Sequence, residues 1–136
     1  MDIKQATQAD CSLLAELNHQ LIRDEEHRNS MTVAQLAERM RDWLAADYVA
    51  YLFQLDSKSV GYALYRSEPD FIYLRQFFVQ HDFRRRGLGQ AAFQWLTDNI
   101  WKKRLVRIDV LCTNSIGIAF WRSVGFDDYC ITMERG

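Results

Sequence analysis

At 136 residues and 16.1 kDa, the chain has the length of a single domain, residues 1–136. Its 49% hydrophobic and 13% aromatic content supports a buried core that needs no metal or disulfide staple, and no metal is expected. The formal charge of −1 excludes a general pull toward nucleic acid or membrane lipid, so neither is an expected partner and any anion site must be local.

The opening MDIKQATQAD holds no apolar signal region, and no run is long enough to span a bilayer, so the expected location is cytoplasmic. Ile3 to Ala6 suits a short strand. Thr7 with Asp10 has the spacing of a capping box, with Asp in place of Glu, and Leu13, Leu14, Leu17 and Leu21 follow on a helical stripe. A very polar segment, RDEEHRNS, comes next. Thr32 with Gln35 is a second capping box, opening a helix striped by Leu36, Met40, Trp43 and Leu44.

Tyr48 to Leu55 reads as a strand, Asp56 to Ser59 as its hairpin turn, and Val60 to Arg66 as the returning strand. Pro69 sits in the turn signal SEPD. Phe71 to Val79 is apolar on both faces, which predicts a central strand. After a basic, glycine-containing turn, Leu88, Ala92, Trp95, Leu96 and Ile100 mark the inner side of a helix. Val106, Ile108 and Val110 alternate with Arg107 and Asp109, a strand with one wet face. Ile116, Ala119, Phe120 and Val124 predict a short helix ended by Gly125, and Phe126 to Met133 a last strand. The order β-α-α-β-β-β-α-β-α-β predicts an α/β domain with a mixed central sheet flanked by helices. Cys11, Cys112 and Cys130 have no ligand spacing and are expected to be buried or half-buried structural thiols.

The turn between Val79 and the following helix carries Arg84, Arg85, Arg86, Gly87, Leu88 and Gly89. Glycines let backbone N–H groups approach an anion, a helix N-terminus adds about half a positive charge, and arginine supplies forked donors. Strand, basic glycine turn and helix together suit a phosphate cradle, although a solvated charge run before a helix would look the same. Neither a P-loop pattern nor a dinucleotide-binding glycine pattern is present.

Arg84-x-x-Gly87-x-Gly89 after a central strand resembles the acyl-CoA signature of the GCN5-related N-acetyltransferase (GNAT) family, and Asn114, Ala119-Phe120-Trp121 and Gly125-Phe126 resemble that family's last helix and its Gly-Phe ending. The resemblance implies a GNAT-like acyltransferase fold over essentially the whole chain and acetyl-CoA as acyl donor. Backbone groups of Phe78 and Val79 would then pair with the pantetheine arm. Amides around Arg84, Arg85, Arg86, Gly87, Leu88, Gly89 and Gln90 would hold the pyrophosphate. Asn114 would bond the pantetheine or the acceptor end of the site, unless it is a plain helix N-cap, and it can be both.

The implied reaction moves an acetyl group to a primary amine by direct attack in a ternary complex. The amine must shed a proton first, because alkyl ammonium groups titrate near 10.4. The family's common acid, a tyrosine seven residues after the helix asparagine, is replaced by Trp121, whose indole N–H is not released at neutral pH. Tyr129 is a substitute acid, though strand packing explains it as well. Tyr73 stands where some members carry a glutamate base. Asp24, Glu25, Glu26 and His27 border the expected acceptor pocket, with Glu26 and His27 the favoured base pair. Their carboxylates suit a cationic amine on a small molecule or protein. Tyr48, Tyr51, Tyr62 and Tyr65 line a pocket in this reading or simply pack the sheet. The loss of the tyrosine motivates an alternative, a degenerate acyl-CoA-binding sensor or interaction module. A homodimer is compatible with the pattern, but no edge strand marks it.

Overall fold

The computed structural model describes residues 1–25 and 28–136. The favoured pair Glu26 and His27 lies outside the described residues. The elements run β1 (Asp2–Gln5), α1 (Cys11–Asp24), α2 (Val33–Ala45), β2 (Tyr48–Leu55), β3 (Lys58–Ser67), β4 (Ile72–Val79), α3 (Leu88–Asn99), β5 (Val106–Ile108) and α4 (Ser115–Ser123), with short 3₁₀ turns at Gln8–Asp10 and His81–Phe83. The five strands lie in the order β1-β2-β3-β4-β5, antiparallel up to β4, while β5 joins β4 in parallel.

Local chemistry explains most boundaries. The Thr7 amide donates to Asp10 Oδ2 at 2.8 Å, capping the 3₁₀ turn that leads into α1. At α2 the Gln35 amide donates to Thr32 Oγ1 and the Thr32 amide to Gln35 Oε1, so both orphan donors are satisfied. The β2–β3 hairpin turns in two residues rather than four, because Asp56 (φ 51°) and Ser57 (φ 65°) both adopt the left-handed conformation that matches the twist of paired strands.

The sheet separates two apolar layers. On one face Leu14 and Leu17 of α1 and Met40 of α2 pack over Leu52, Tyr62, Leu64 and Phe78. On the other, Ala92, Phe93 and Leu96 of α3 and Trp121 of α4 pack over Phe53, Tyr65, Ile72 and Leu74. Tyr48, Tyr51, Tyr62 and Tyr65 are all buried, which the sheet packing accounts for.

Three expectations need correction. No strand forms from Phe126 to Met133: Tyr129, Ile131 and Met133 are each at least 78% exposed, and β5 has shrunk to three residues, leaving little ladder to extend. Ile116 is 77% exposed, because α4 turns Phe120, Trp121 and Val124 inward instead. Cys11 is buried, and burial pushes its thiol pKa up, but Cys112 and Cys130 are exposed.

Gly61 faces the Phe78 carbonyl oxygen so closely that an added Cβ would overlap it. A strand-to-strand backbone contact of that kind cannot yield the way a side-chain tip does. Gly61→Ala should therefore destabilise the domain by about 2 kcal/mol or more, measured as a drop in the urea midpoint at unchanged m-value.

Candidate active site

The site is built on an irregularity in β4. Leu64 pairs with Gln76 but Tyr65 pairs with Leu74, so Arg75 is an extra residue, a β-bulge. The bulge shifts the side-chain alternation: Ile72 and Leu74 face α3 and α4, and beyond it Phe77 and Val79 take that face while Phe78 turns to α1. The β4–β5 pairing ends at Leu74 and Ile108, although β4 continues to Val79. From Arg75 onward, the side of β4 that would meet β5 is an open edge.

The backbone groups on that edge follow from the pairing. The Gln80 amide donates to Val60 of β3, and the Phe78 carbonyl abuts Gly61, so these groups point into the sheet. By alternation, Phe77 and Val79 present theirs to the open side. The expected donor site named Phe78 and Val79; Phe78 faces β3 and Phe77 the open side, a difference the sequence does not signal because an apolar strand residue carries no sign of which way its peptide faces.

Beyond Val79 the chain turns into α3. Gly87 (φ 74°) and Arg85 (φ 62°) take left-handed conformations, and Gly87 is the residue before the first turn of α3. The Arg84 amide is committed to the His81 carbonyl at 3.2 Å, whereas no backbone acceptor among the described residues takes the amides from Arg85 to Gln90. Six successive N–H groups thus lie without a backbone partner at a helix N-terminus, beside the exposed Arg85 and Arg86. Gly89 lies against Phe120, so α3 enters close to α4.

Arg84 does not point into this cradle. Its Nε donates to the Val79 carbonyl at 2.8 Å and its Nη2 to Asp24 Oδ2 at 2.7 Å, tying the end of α1 to the end of β4. Asp24, expected among the acceptor carboxylates, serves as its counter-ion.

Asn114 is the N-cap of α4, its Oδ1 accepting from the Gly117 amide at 3.0 Å. The same asparagine lines an open cleft of about 230 Å³ with Asp24, Glu25, Thr113, Ser115 and Ile116, between the end of α1 and the start of α4. Trp121 is 8% exposed and packs edge-on against Phe77, Phe93, Phe120 and Phe126, so the residue in the tyrosine's place is a core residue. Tyr129 is 78% exposed, with the Arg107 guanidinium over its ring at 4.7 Å. The Tyr73 hydroxyl donates to Asp109 Oδ2 at 2.9 Å, which bridges β4 to the residue after β5. Among the described residues no group of three His, Cys, Asp or Glu side chains is placed to hold a metal ion, and no helix is long and apolar enough to cross a membrane.

Sequence comparison places this arrangement. Residues 12–126 match the acetyltransferase (GNAT) family. The chain belongs to that family. No protein of curated function matches it by sequence. Solved structures match in fold. A predicted acetyltransferase of Clostridium acetobutylicum, determined with acetyl-CoA, has 15% identity and TM-score 0.79, covering 99% of this chain and 95% of its own. An aminoglycoside acetyltransferase from an uncultured soil metagenomic sample, in complex with sisomicin, has 16% identity and TM-score 0.77, with coverage of 99% and 95%. The ribosomal-protein-alanine N-acetyltransferase of Brucella melitensis biovar Abortus 2308 has 16% identity and TM-score 0.78, covering 99% of both chains.

Tyr51, Tyr62, Tyr65 and Tyr73 of this GNAT domain all have raised pKa values. Burial first, then the hydrogen bond to Asp109 and that residue's charge, raise the Tyr73 pKa; burial, then Tyr51, pushes Tyr65 up to about 12. Each native phenol holds its proton at a pH where the unfolded residue, near 10, has lost it. The Tyr65 contribution is therefore complete below pH 10 and disappears as pH rises toward 12, and Tyr73 acts in the same direction. Denaturant midpoints should fall across that window, and Tyr65→Phe should flatten the decline. A midpoint independent of pH there would contradict the assignment.

Proposed function

We propose that the protein is an acetyl-CoA-dependent N-acetyltransferase acting on a primary amine. The observation that carries this reading is the open edge of β4 running directly into six unpaired amides at the start of α3. An extended pantetheine arm pairs with an open strand edge, and a pyrophosphate needs converging N–H donors at a helix terminus. The backbone of Phe77 and the amide of Val79 lie along the arm, the Val79 carbonyl being held by Arg84. The amides from Arg85 to Gln90, with the Arg85 and Arg86 side chains, take the phosphates, and Arg84 holds the wall of the groove rather than the ligand. Asn114, at the cleft where the two halves of the site meet, bonds the arm or the acceptor.

The donor supplies a thioester, whose carbonyl is open to attack and whose thiolate is a tolerable leaving group at a thiol pKa near 8.5. An amine that has given up its proton forms the new C–N bond, the C–S bond breaks, and the thiolate leaves. A β4 amide on the open edge is suitably placed to donate to the oxygen that gains charge. Tyr73 is protonated at neutral pH, so it acts as a hydrogen-bond donor and not as the base. The acceptor's proton goes to the carboxylate end of the cleft, where Glu25 sits and where Glu26 and His27 follow it in sequence. The protein works in the cytoplasm, on a small-molecule or protein amine, with no nucleic acid, membrane or metal partner; a homodimer remains compatible.

A thiol-release assay with an amine panel tests the reading. Acetyl-CoA with an accepting amine should release thiol well above background, whereas tight acetyl-CoA binding with no release would favour a sensor or interaction module. Arg85→Ala with Arg86→Ala should raise the KM for acetyl-CoA roughly tenfold at low salt and less at high salt, as lost phosphate contacts do. Glu26→Ala with His27→Ala should lower kcat far more than acetyl-CoA affinity, and an unchanged kcat would remove both from the chemistry.

A further inference from the structure

A second group of arginines comes together on the α1/α2 side of the sheet, apart from the phosphate turn. Arg39 and Trp43 stand one turn apart on α2, and the Arg39 guanidinium carbon lies 4.4 Å from the Trp43 ring centroid. Arg75, the bulged residue of β4, places its guanidinium carbon 4.7 Å from the same ring and donates from Nη1 to the Tyr48 hydroxyl at 3.3 Å. Two cations therefore share one indole. A guanidinium stacked on an aromatic face keeps its in-plane N–H donors free at the edge.

Glu38 and Asp42 line a cleft together with Arg39, yet among the described residues neither Arg39 nor Arg75 forms an ion pair. Glu68 is held by Arg66, and Asp109 accepts from Tyr73. Arg39 donates from Nη2 to Asn18 Oδ1 at 3.2 Å, but among the described residues its buried Nε has no acceptor, and neither has Nδ2 of Asn18, a residue only 1% exposed. Both orphaned atoms are donors, and they flank a single hydrogen bond. Nε–H and Nη2 share one edge of the guanidinium. Buried donors are normally paired, and an oxyanion reaching the exposed Arg75 edge of this cluster would supply the acceptor that both lack. Burial, then the charge of Arg75, lowers the Arg39 pKa, as expected for two unneutralised cations held together. Glu25 faces the neighbouring Tyr62 and lines the Asn114 cleft, so a carboxylate and the arginine pair bracket the same stretch of the sheet.

We propose that the amine acceptor bears an oxyanion at its other end, a carboxylate or a phosphate, which Arg39, Arg75 and Asn18 bind beside Trp43. The inference rests on the acetyltransferase reading and narrows its substrate to amino acids or similarly zwitterionic amines. It replaces the purely cationic acceptor that the acidic loop had suggested.

Two measurements test it. The first needs no catalysis: the arginine Nε–H signals of the ¹⁵N-labelled full chain are followed during titration with sodium acetate, inorganic phosphate, or sodium chloride at matched ionic strength. Saturable movement of the Arg39 signal with acetate or phosphate, and not with chloride, is expected, and the stronger of the two identifies the oxyanion. Movement with neither would overturn the proposal. The second compares thiol release with phenylalanine, O-phosphoethanolamine, phenylalaninamide and spermidine. An anionic acceptor should be favoured about tenfold or more in kcat/KM over the uncharged-end analogue. Arg75→Gln, at an exposed position that leaves the core intact, should erase that preference and leave the KM for acetyl-CoA unchanged. Arg39→Gln should do the same, with its melting temperature as a check on folding. A preference for spermidine would sink the oxyanion site while upholding acetyl transfer. Failure of the chain to bind acetyl-CoA would instead sink the acetyltransferase reading, with the titration still deciding the anion site.

Discussion

Phe77 holds this molecule together at the point where it must also come apart. Its ring lies within 5.2–6.4 Å of Phe53, Phe93, Phe120 and Trp121, so β2, β4, α3 and α4 meet on one side chain. Pairs at such spacings add roughly 0.5–1.5 kcal/mol each beyond simple burial. The ring can reach that cluster only because the bulge at Arg75 reverses the alternation of β4. Without the extra residue, Phe77 would point toward α1, and the face under α3 would lose its central contact.

The same bulge accounts for the opening between β4 and β5. Parallel pairing needs matched registers, and it holds for three residues before β4 bends away. The aromatic cluster fills the space beneath the separated strands, which is how the fold sustains an open sheet edge in its interior. Trp121 belongs to that filling. It stands where a tyrosine is expected from the family resemblance, and its ring serves as a packing surface against Phe77, Phe93, Phe120 and Phe126.

Charge is distributed in two separate stores. One is the turn before α3, where backbone amides and exposed arginines face solvent. The other is the pair Arg39 and Arg75, brought together from a helix and a strand and stacked on Trp43. Arg84 forms a strut from Val79 to Asp24, whereas Arg85 and Arg86 are exposed, with Arg86 over the Phe83 ring.

Capping boxes, stripe periodicity and the glycine turn were readable in the sequence, because each depends on residues within a few positions of one another. Tyr48–Leu55 and the Leu88 helix needed nothing more. The family resemblance likewise rests on local motifs, and the expected donor site follows from those motifs alone. Other features depended on contacts far apart in the chain. The bulge at Arg75 is set by β3, the commitment of Arg84 by Asp24, and the failure of Phe126–Met133 to form a strand by the shortness of β5. The Arg39–Arg75 pair joins residues of two elements that no spacing rule connects. By itself, the sequence determined every element but the last strand, and the glycine turn before α3, since short-range sterics and hydrogen bonding suffice for those. Only the tertiary structure decided which peptide groups stay unpaired and which arginines meet, because both follow from register and packing between distant segments.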